Sequence, residues 1–103
     1  MKFITNYKEL GGDSSESVLS HITKTHMEGK EKILAYLKNG ENRGVRCSAV
    51  FDHIRKESQL DTIHLFTDGE YCWDSEEIYH FEKYNLSLDA KFIQKVFSKS
   101  RQQ

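Results

Sequence analysis

The dipeptide Asp68-Gly69 constrains this chain more than any other feature. It stands between two β-prone runs, residues 62–67 and 70–73. Asp-Gly suits a two-residue turn whose central residues both take positive φ, so it predicts an antiparallel hairpin. Counting outward pairs Thr67 with Glu70, Phe66 with Tyr71, Leu65 with Cys72 and His64 with Trp73. Side chains alternate across a strand. One face therefore carries Ile63, Leu65, Thr67, Glu70 and Cys72, and the other His64, Phe66, Tyr71 and Trp73. Trp73 is expected to pack against the helix that follows. Tyr71, nearer the turn, is expected to be partly exposed.

The remaining pattern surrounds this hairpin with helices. The chain has 103 residues, the size of one domain spanning 1–103. It contains no proline, so Gly, Asn, Asp and Ser must end its elements. Phe3, Tyr7 and Leu10 before Gly11-Gly12 predict a short helix with a glycine stop. Asp13, Ser14 and Ser15 suit a turn or a cap, and residues 17–23 fit a helix through Val18 and Ile22, or a loop or an extended arm through their serines. Residues 28–38 are the clearest helix, with Ile33, Leu34 and Leu37 in one stripe and Asn39-Gly40 after it. Residues 41–44 read as a polar loop. Residues 45–52 alternate as a strand except at Val50, which leaves a helical turn near 50–56 open. Asp74 or Ser75 caps a helix over 75–84. Ser87 caps a last helix bearing Leu88, Phe92, Ile93, Val96 and Phe97. The class is α+β: a small antiparallel sheet with a central β-hairpin packed against several helices.

Charge is unevenly spread. Residues 61–90 hold eight acids against one base, Lys83, a local charge of −7 on a chain of net −1. Residues 91–103 hold four bases and no acid, which suits a helix C-terminus. An acidic segment repels phosphate and disfavours nucleic acid, but it can steer a basic protein.

The longest apolar run, residues 33–37, is far short of the roughly 20 residues that span a membrane. Phe3-Ile4 gives way at once to Thr5-Asn6, so no signal-peptide core is expected. The two cysteines, Cys47 and Cys72, form no CxxC pair. Free thiols in a reducing cytosol follow, and a Cys47–Cys72 bridge would need the fold to bring them together.

The five histidines, His21, His26, His53, His64 and His80, lack metal-ligand spacing. His21 and His26 do not share a helix face, and His64 and Cys72 fall on opposite hairpin faces. A pair such as His53 and His64 could shuttle protons only if both reached one phosphate, and no phosphate-binding glycine loop accompanies them. No GxSxG or Cys–His signature occurs. The expectation is a binding protein, not an enzyme, without cofactor, metal, nucleic-acid, membrane or small-molecule substrate.

The stretch LFTDGEYCWDSEEIYHFEKYNLSLDAKFIQKV, residues 65–96, resembles a family of small bacterial proteins. Its pattern is a T-D-G-x-W/Y-x-W hairpin, a Y-Y/F-x-E-K-Y helix and an x-L-P-x-x-F-I segment. Upstream, ILAYLKNG at 33–40 is similar to the family's YL-x-x-G, and the two stretches together span roughly two-thirds of the chain. Tyr71 stands where the first Trp is usual, and Leu88-Asp89 where L-P is. The resemblance implies an immunity protein of a toxin–immunity system, of the contact-dependent growth inhibition type. It would bind and neutralise a cognate toxin in the cytoplasm. A basic nuclease cleft would suit the acidic segment, with Asp68, Glu70, Asp74, Glu76 and Glu77 as contacts and Tyr71 as the anchor. The helix 28–38 and the loop 41–44 are the next candidate surface. A small cytosolic adaptor or regulatory protein-binding domain is the alternative.

Overall fold

The structure, a computed structural model, describes residues 2–10, 12, 15–25 and 28–101. Its elements are β1 (Lys2–Phe3), 3-10 turns at Lys8–Leu10 and Val18–Ser20, α1 (Lys30–Lys38), β2 (Glu41–Asp52), β3 (Glu57–Thr67), β4 (Tyr71–Asp74), α2 (Ser75–Tyr84) and α3 (Ala90–Arg101). The strands form one sheet in the order β1-β4-β3-β2. The fold is α+β, with the β3–β4 hairpin at the centre of the sheet. β1 makes the sheet mixed, since it runs parallel to β4.

The hairpin forms, but not with a two-residue turn. Thr67 pairs with Cys72, Phe66 with Trp73 and Leu65 with Asp74, two residues away from the expected register. Gly69 has φ +99°, whereas Asp68 is not at positive φ, so a type I′ turn is not made. Asp68 builds the loop with its carboxylate instead, whose Oδ1 accepts from the backbone N–H of Glu70 and of Tyr71 at 2.9 and 2.7 Å. A slip of two residues leaves side-chain alternation intact. Phe66, Tyr71 and Trp73 therefore still share a face, and it is the core face.

Two other expectations change. Phe3 lies in a strand, β1, not a helix: the Lys2 N–H donates to the Glu70 carbonyl at 3.0 Å, and the helical spacing of Tyr7 and Leu10 is used by a 3-10 turn. Gly11, Asp13 and Ser14 lie outside the described residues. Residues 41–44 are the start of β2, not a loop, and no helix forms at 50–56. Three irregularities in the β2–β3 register, between Asn42 and Gly44, Arg46 and Ala49, and Ala49 and Phe51, explain why alternation breaks. Only the first, where β2 advances two residues against one of β3, changes the face that the next side chains take. Val50 is buried.

The core lies between the sheet and the helices. Ile33 and Leu37 of α1, Ile78 and Phe81 of α2, and Phe92 and Val96 of α3 meet Ile4, Tyr71 and Trp73. The Phe92 ring lies 5.2 Å from that of Tyr71 and 5.6 Å from that of Trp73. Trp73 donates from Nε1 to the Leu37 carbonyl at 3.0 Å, so its one polar atom is satisfied at the end of α1. Gly40 permits this approach, since a Cβ there would stand 2.6 Å from Trp73 Cζ2.

Helix ends are tied into the same frame. Asp74 and Glu77 form a reciprocal capping box on α2. Asp89 caps α3 through the Phe92 N–H, a role expected of Ser87. The buried Lys30 ammonium donates to the Glu82 carbonyl and to Asn85 Oδ1 at 2.7 and 2.6 Å, placing a cation at the negative end of α2. Among the described residues, no helix is long and apolar enough to cross a membrane. Cys72 is a free thiol, and the Cys47 side chain lies outside what the structure describes.

Candidate functional site

Of the six residues expected at an acidic docking face, only Glu70 presents a substantially exposed side chain. The Asp68 side chain is 7% exposed and receives the Tyr36 hydroxyl at 2.6 Å and the Lys95 ammonium at 3.0 Å. Burial pushes its carboxyl up. Hydrogen bonds from Tyr36 and from the backbone of Tyr71 and Glu70 outweigh that and hold it well below the usual carboxylate range. Burial and the bond to Asp68 push the Tyr36 phenol up to about 12. Glu70 pairs with Lys95 at 2.9 Å and Lys2 at 3.6 Å, and its bond to Lys95 lowers its pKa. The expected anchor Tyr71 is 4% exposed, so the reading of a partly exposed Tyr71 is corrected: its ring belongs to the core.

Asp74, Glu76 and Glu77 are buried too. The sequence reading set these acids on an accessible docking face, but the sheet packs over that end of α2. Glu76 Oε2 accepts from the Phe51 N–H at 2.8 Å and so fastens β2 to α2. Glu77 accepts from the Asp74 N–H at 3.1 Å and from the Thr5 hydroxyl at 2.5 Å. Burial, then repulsion from Asp74, raises its carboxyl to about 8. Burial also raises Asp74, whose Oδ2 stands 3.5 Å from Arg46 Nη1.

A second polar cluster, not anticipated as a unit, joins the turn after β2 to α2. Asp52 accepts from the backbone N–H of Ile54 and Arg55 at 2.9 and 2.8 Å, and from the hydroxyls of Tyr79 and Tyr84 at 2.7 and 2.5 Å. Burial opposes its ionisation, but these bonds win and depress its pKa strongly. His80 is fully buried, and burial lowers its pKa. Its Nε2 accepts from the His53 N–H at 3.0 Å, which assigns the proton to Nδ1, 2.7 Å from the Glu76 carbonyl. With both nitrogens occupied, His80 is a structural latch and not an accessible base. His53 belongs to this latch, whereas His64 bonds Asn42 through Nδ1 at 3.1 Å.

The accessible surface lies elsewhere. Among the described residues, β2 has β3 on one side and no strand on the other. From Glu41 to Ala49 its described side chains are exposed, Gly44 aside, and Val45 is 58% exposed. Beside it runs a groove of about 550 Å³ between the β2–β3 hairpin and α2, lined by Val50, Asp61, His64, Phe66, Ile78 and Glu82. Two of the acids left at the surface meet there. Asp61 is exposed, and Glu82 holds Lys38 at 3.2 Å with both side chains half exposed. Among the described residues, no group of three or more His, Cys, Asp or Glu could hold a metal ion.

Sequence reading missed this groove because Asp61, Phe66 and Glu82 come together only when β3 lies against α2. The interrupted alternation after residue 41 was the one local signal of a bulged edge strand. Compared with known proteins, the chain matches no family model, no curated protein and no solved structure.

Proposed function

We propose that this chain is a cytoplasmic immunity protein that binds a cognate bacterial toxin and neutralises it by occluding its active site. The observation that carries this reading is the outer edge of β2, a twelve-residue strand with a strand on one side only among the described residues, tied to α2 near its end where the Phe51 N–H meets Glu76. A long edge with unpaired backbone groups is a ready template for another chain, and an isolated domain usually covers it. The position of β2 in the sequence fits a recognition element. The resemblance to immunity proteins runs through 33–40 and 65–96, whose Leu37, Trp73, Phe81 and Phe92 are core residues. β2 lies between those stretches, outside the shared pattern. A scaffold held in common, with a partner-specific strand set into it, is what a set of inhibitors for different toxins requires.

The groove beside β2 gives the contact its chemistry. Asp61 and Glu82 suit a basic group of the toxin, as the cleft of a nuclease would present, while Phe66 and Ile78 supply the apolar floor. A stable complex would bury about 1,200–2,000 Å² in total.

The test is growth of cells that express the toxin encoded beside this gene, with and without this chain, together with pull-down of the pair. Wild type is expected to restore growth and form a complex. Val45→Glu is expected to lose both while keeping its fold, because Val45 is exposed. Protection without any complex would refute the reading, as would a toxin found chemically altered rather than bound.

A further inference from the structure

The sheet face turned away from the helices holds a cleft of about 390 Å³, lined on one side by the N-terminal segment. That volume lies within the range of small-ligand sites. Its apolar lining comes from Leu65 and Cys72 on the sheet and from Phe3 and Leu10 on the N-terminal segment. Phe3 is 72% exposed, a large ring left in solvent at the cleft. Phe66 lines both this cleft and the β2 groove, whereas Leu65, Cys72, Phe3 and Leu10 line this cleft and not the groove.

Charge decides what such a cleft can take. Arg43 and Arg46 line it, and each meets a single carboxylate through one nitrogen: Arg43 with Glu41 at 3.4 Å, Arg46 with Asp74 at 3.5 Å. Both arginine side chains are at least half exposed. A guanidinium carries several N–H donors, so most of theirs remain uncommitted. Asp74 is offset by Arg46, and Glu77, whose carboxyl burial raises to about 8, is uncharged at neutral pH. The lining residues then sum to one positive charge, that of Arg43, whose carboxylate partner Glu41 lies outside the lining. A cation would face two guanidiniums.

We propose that this cleft binds a small aliphatic carboxylate, its chain against Leu65, Cys72 and Phe3 and its carboxylate on Arg43 and Arg46. Planar guanidinium and carboxylate groups pair through parallel hydrogen bonds, which sets the orientation. The alkyl chain covers side chains that are otherwise partly in water.

Cys72 supplies the readout. In a Cys47→Ser background, Cys72 is the one thiol, and its alkylation by iodoacetamide is followed with octanoate, 1-octanol or octylamine below micelle-forming concentrations. Octanoate is expected to slow the reaction, octanol to do so weakly and octylamine not at all. Arg43→Gln with Arg46→Gln is expected to weaken octanoate about tenfold, the loss of one charge-assisted pair, and to leave octanol unchanged. Backbone amide shifts at Leu65 and Thr5 of the wild-type chain report the same binding without any substitution. Equal protection by octylamine, no loss in the arginine variant, or no amide shift with octanoate would each overturn the proposal.

Discussion

Glu77→Gln should stabilise this protein, and increasingly so as pH rises. Glu77 is 5% exposed, and the groups facing it are Asp74, Thr5 and Arg46. Its carboxyl titrates near 4.5 when unperturbed and is raised to about 8 in the fold. Between those values the unfolded chain has released the proton while the folded chain keeps it. The unfolded state thus binds fewer protons, and wild-type stability falls as pH rises through this window. Each unit of separation is worth about 1.4 kcal/mol, so the ceiling between about pH 5 and about pH 8 is about 4 kcal/mol. Relaxation around the charge and the coupling to Asp74 reduce it, and about 2 kcal/mol is expected. Gln keeps the capping box, since its side-chain carbonyl still accepts from the Asp74 N–H. Its NH2 then faces Thr5, whose hydroxyl turns from donor to acceptor, and the titration is removed. The assay is urea unfolding followed by the fluorescence of Trp73, which is the only tryptophan and is 2% exposed. Wild-type and variant stabilities that stay parallel from about pH 5 to about pH 8 would refute the argument.

Asp52→Asn puts an amide donor among four hydrogen-bond donors and should cost about 2–4 kcal/mol at neutral pH. Asp52 contributes above its unfolded value of about 3.9 and loses that contribution as pH falls toward its depressed folded value, so the wild-type advantage should shrink in acid; a pH series of thermal midpoints checks this. Gly69→Val forces a β-branched residue to a φ of +99° in open space, so the change reports backbone strain alone, and about 1–3 kcal/mol of destabilisation is expected in urea. Asp61→Lys should slow association with the toxin and flatten its salt dependence in stopped-flow measurements while leaving the melting temperature unchanged; an unaltered rate at low salt would remove Asp61 from the interface.

Local chemistry alone determined much of this protein. Asp68-Gly69 specified a hairpin, and Gly69 does take positive φ. The stripe of Ile33 and Leu37 and that of Phe92 and Val96 specified helices with one buried side, because periodicity is carried by neighbours in the chain. Alternation through residues 63–73 specified which side chains share a face, and it survived a shift of register because that shift was an even number of residues.

Contacts between distant segments were decided only by the tertiary structure. An acid after a strand reads as a solvated cap whether or not another layer covers it. Asp74, Glu76 and Glu77 became interior groups because β2 and the N-terminal segment supply their partners, Arg46, Phe51 and Thr5. Tyr71 became core because Phe92, 21 positions later, packs against it. The cap of α3 moved from Ser87 to Asp89, and residues 41–44 became strand because β3 offered them a ladder. A sequence states which residues are charged or apolar; burial depends on what comes to lie over them, and here that covering is made by segments far apart in the chain.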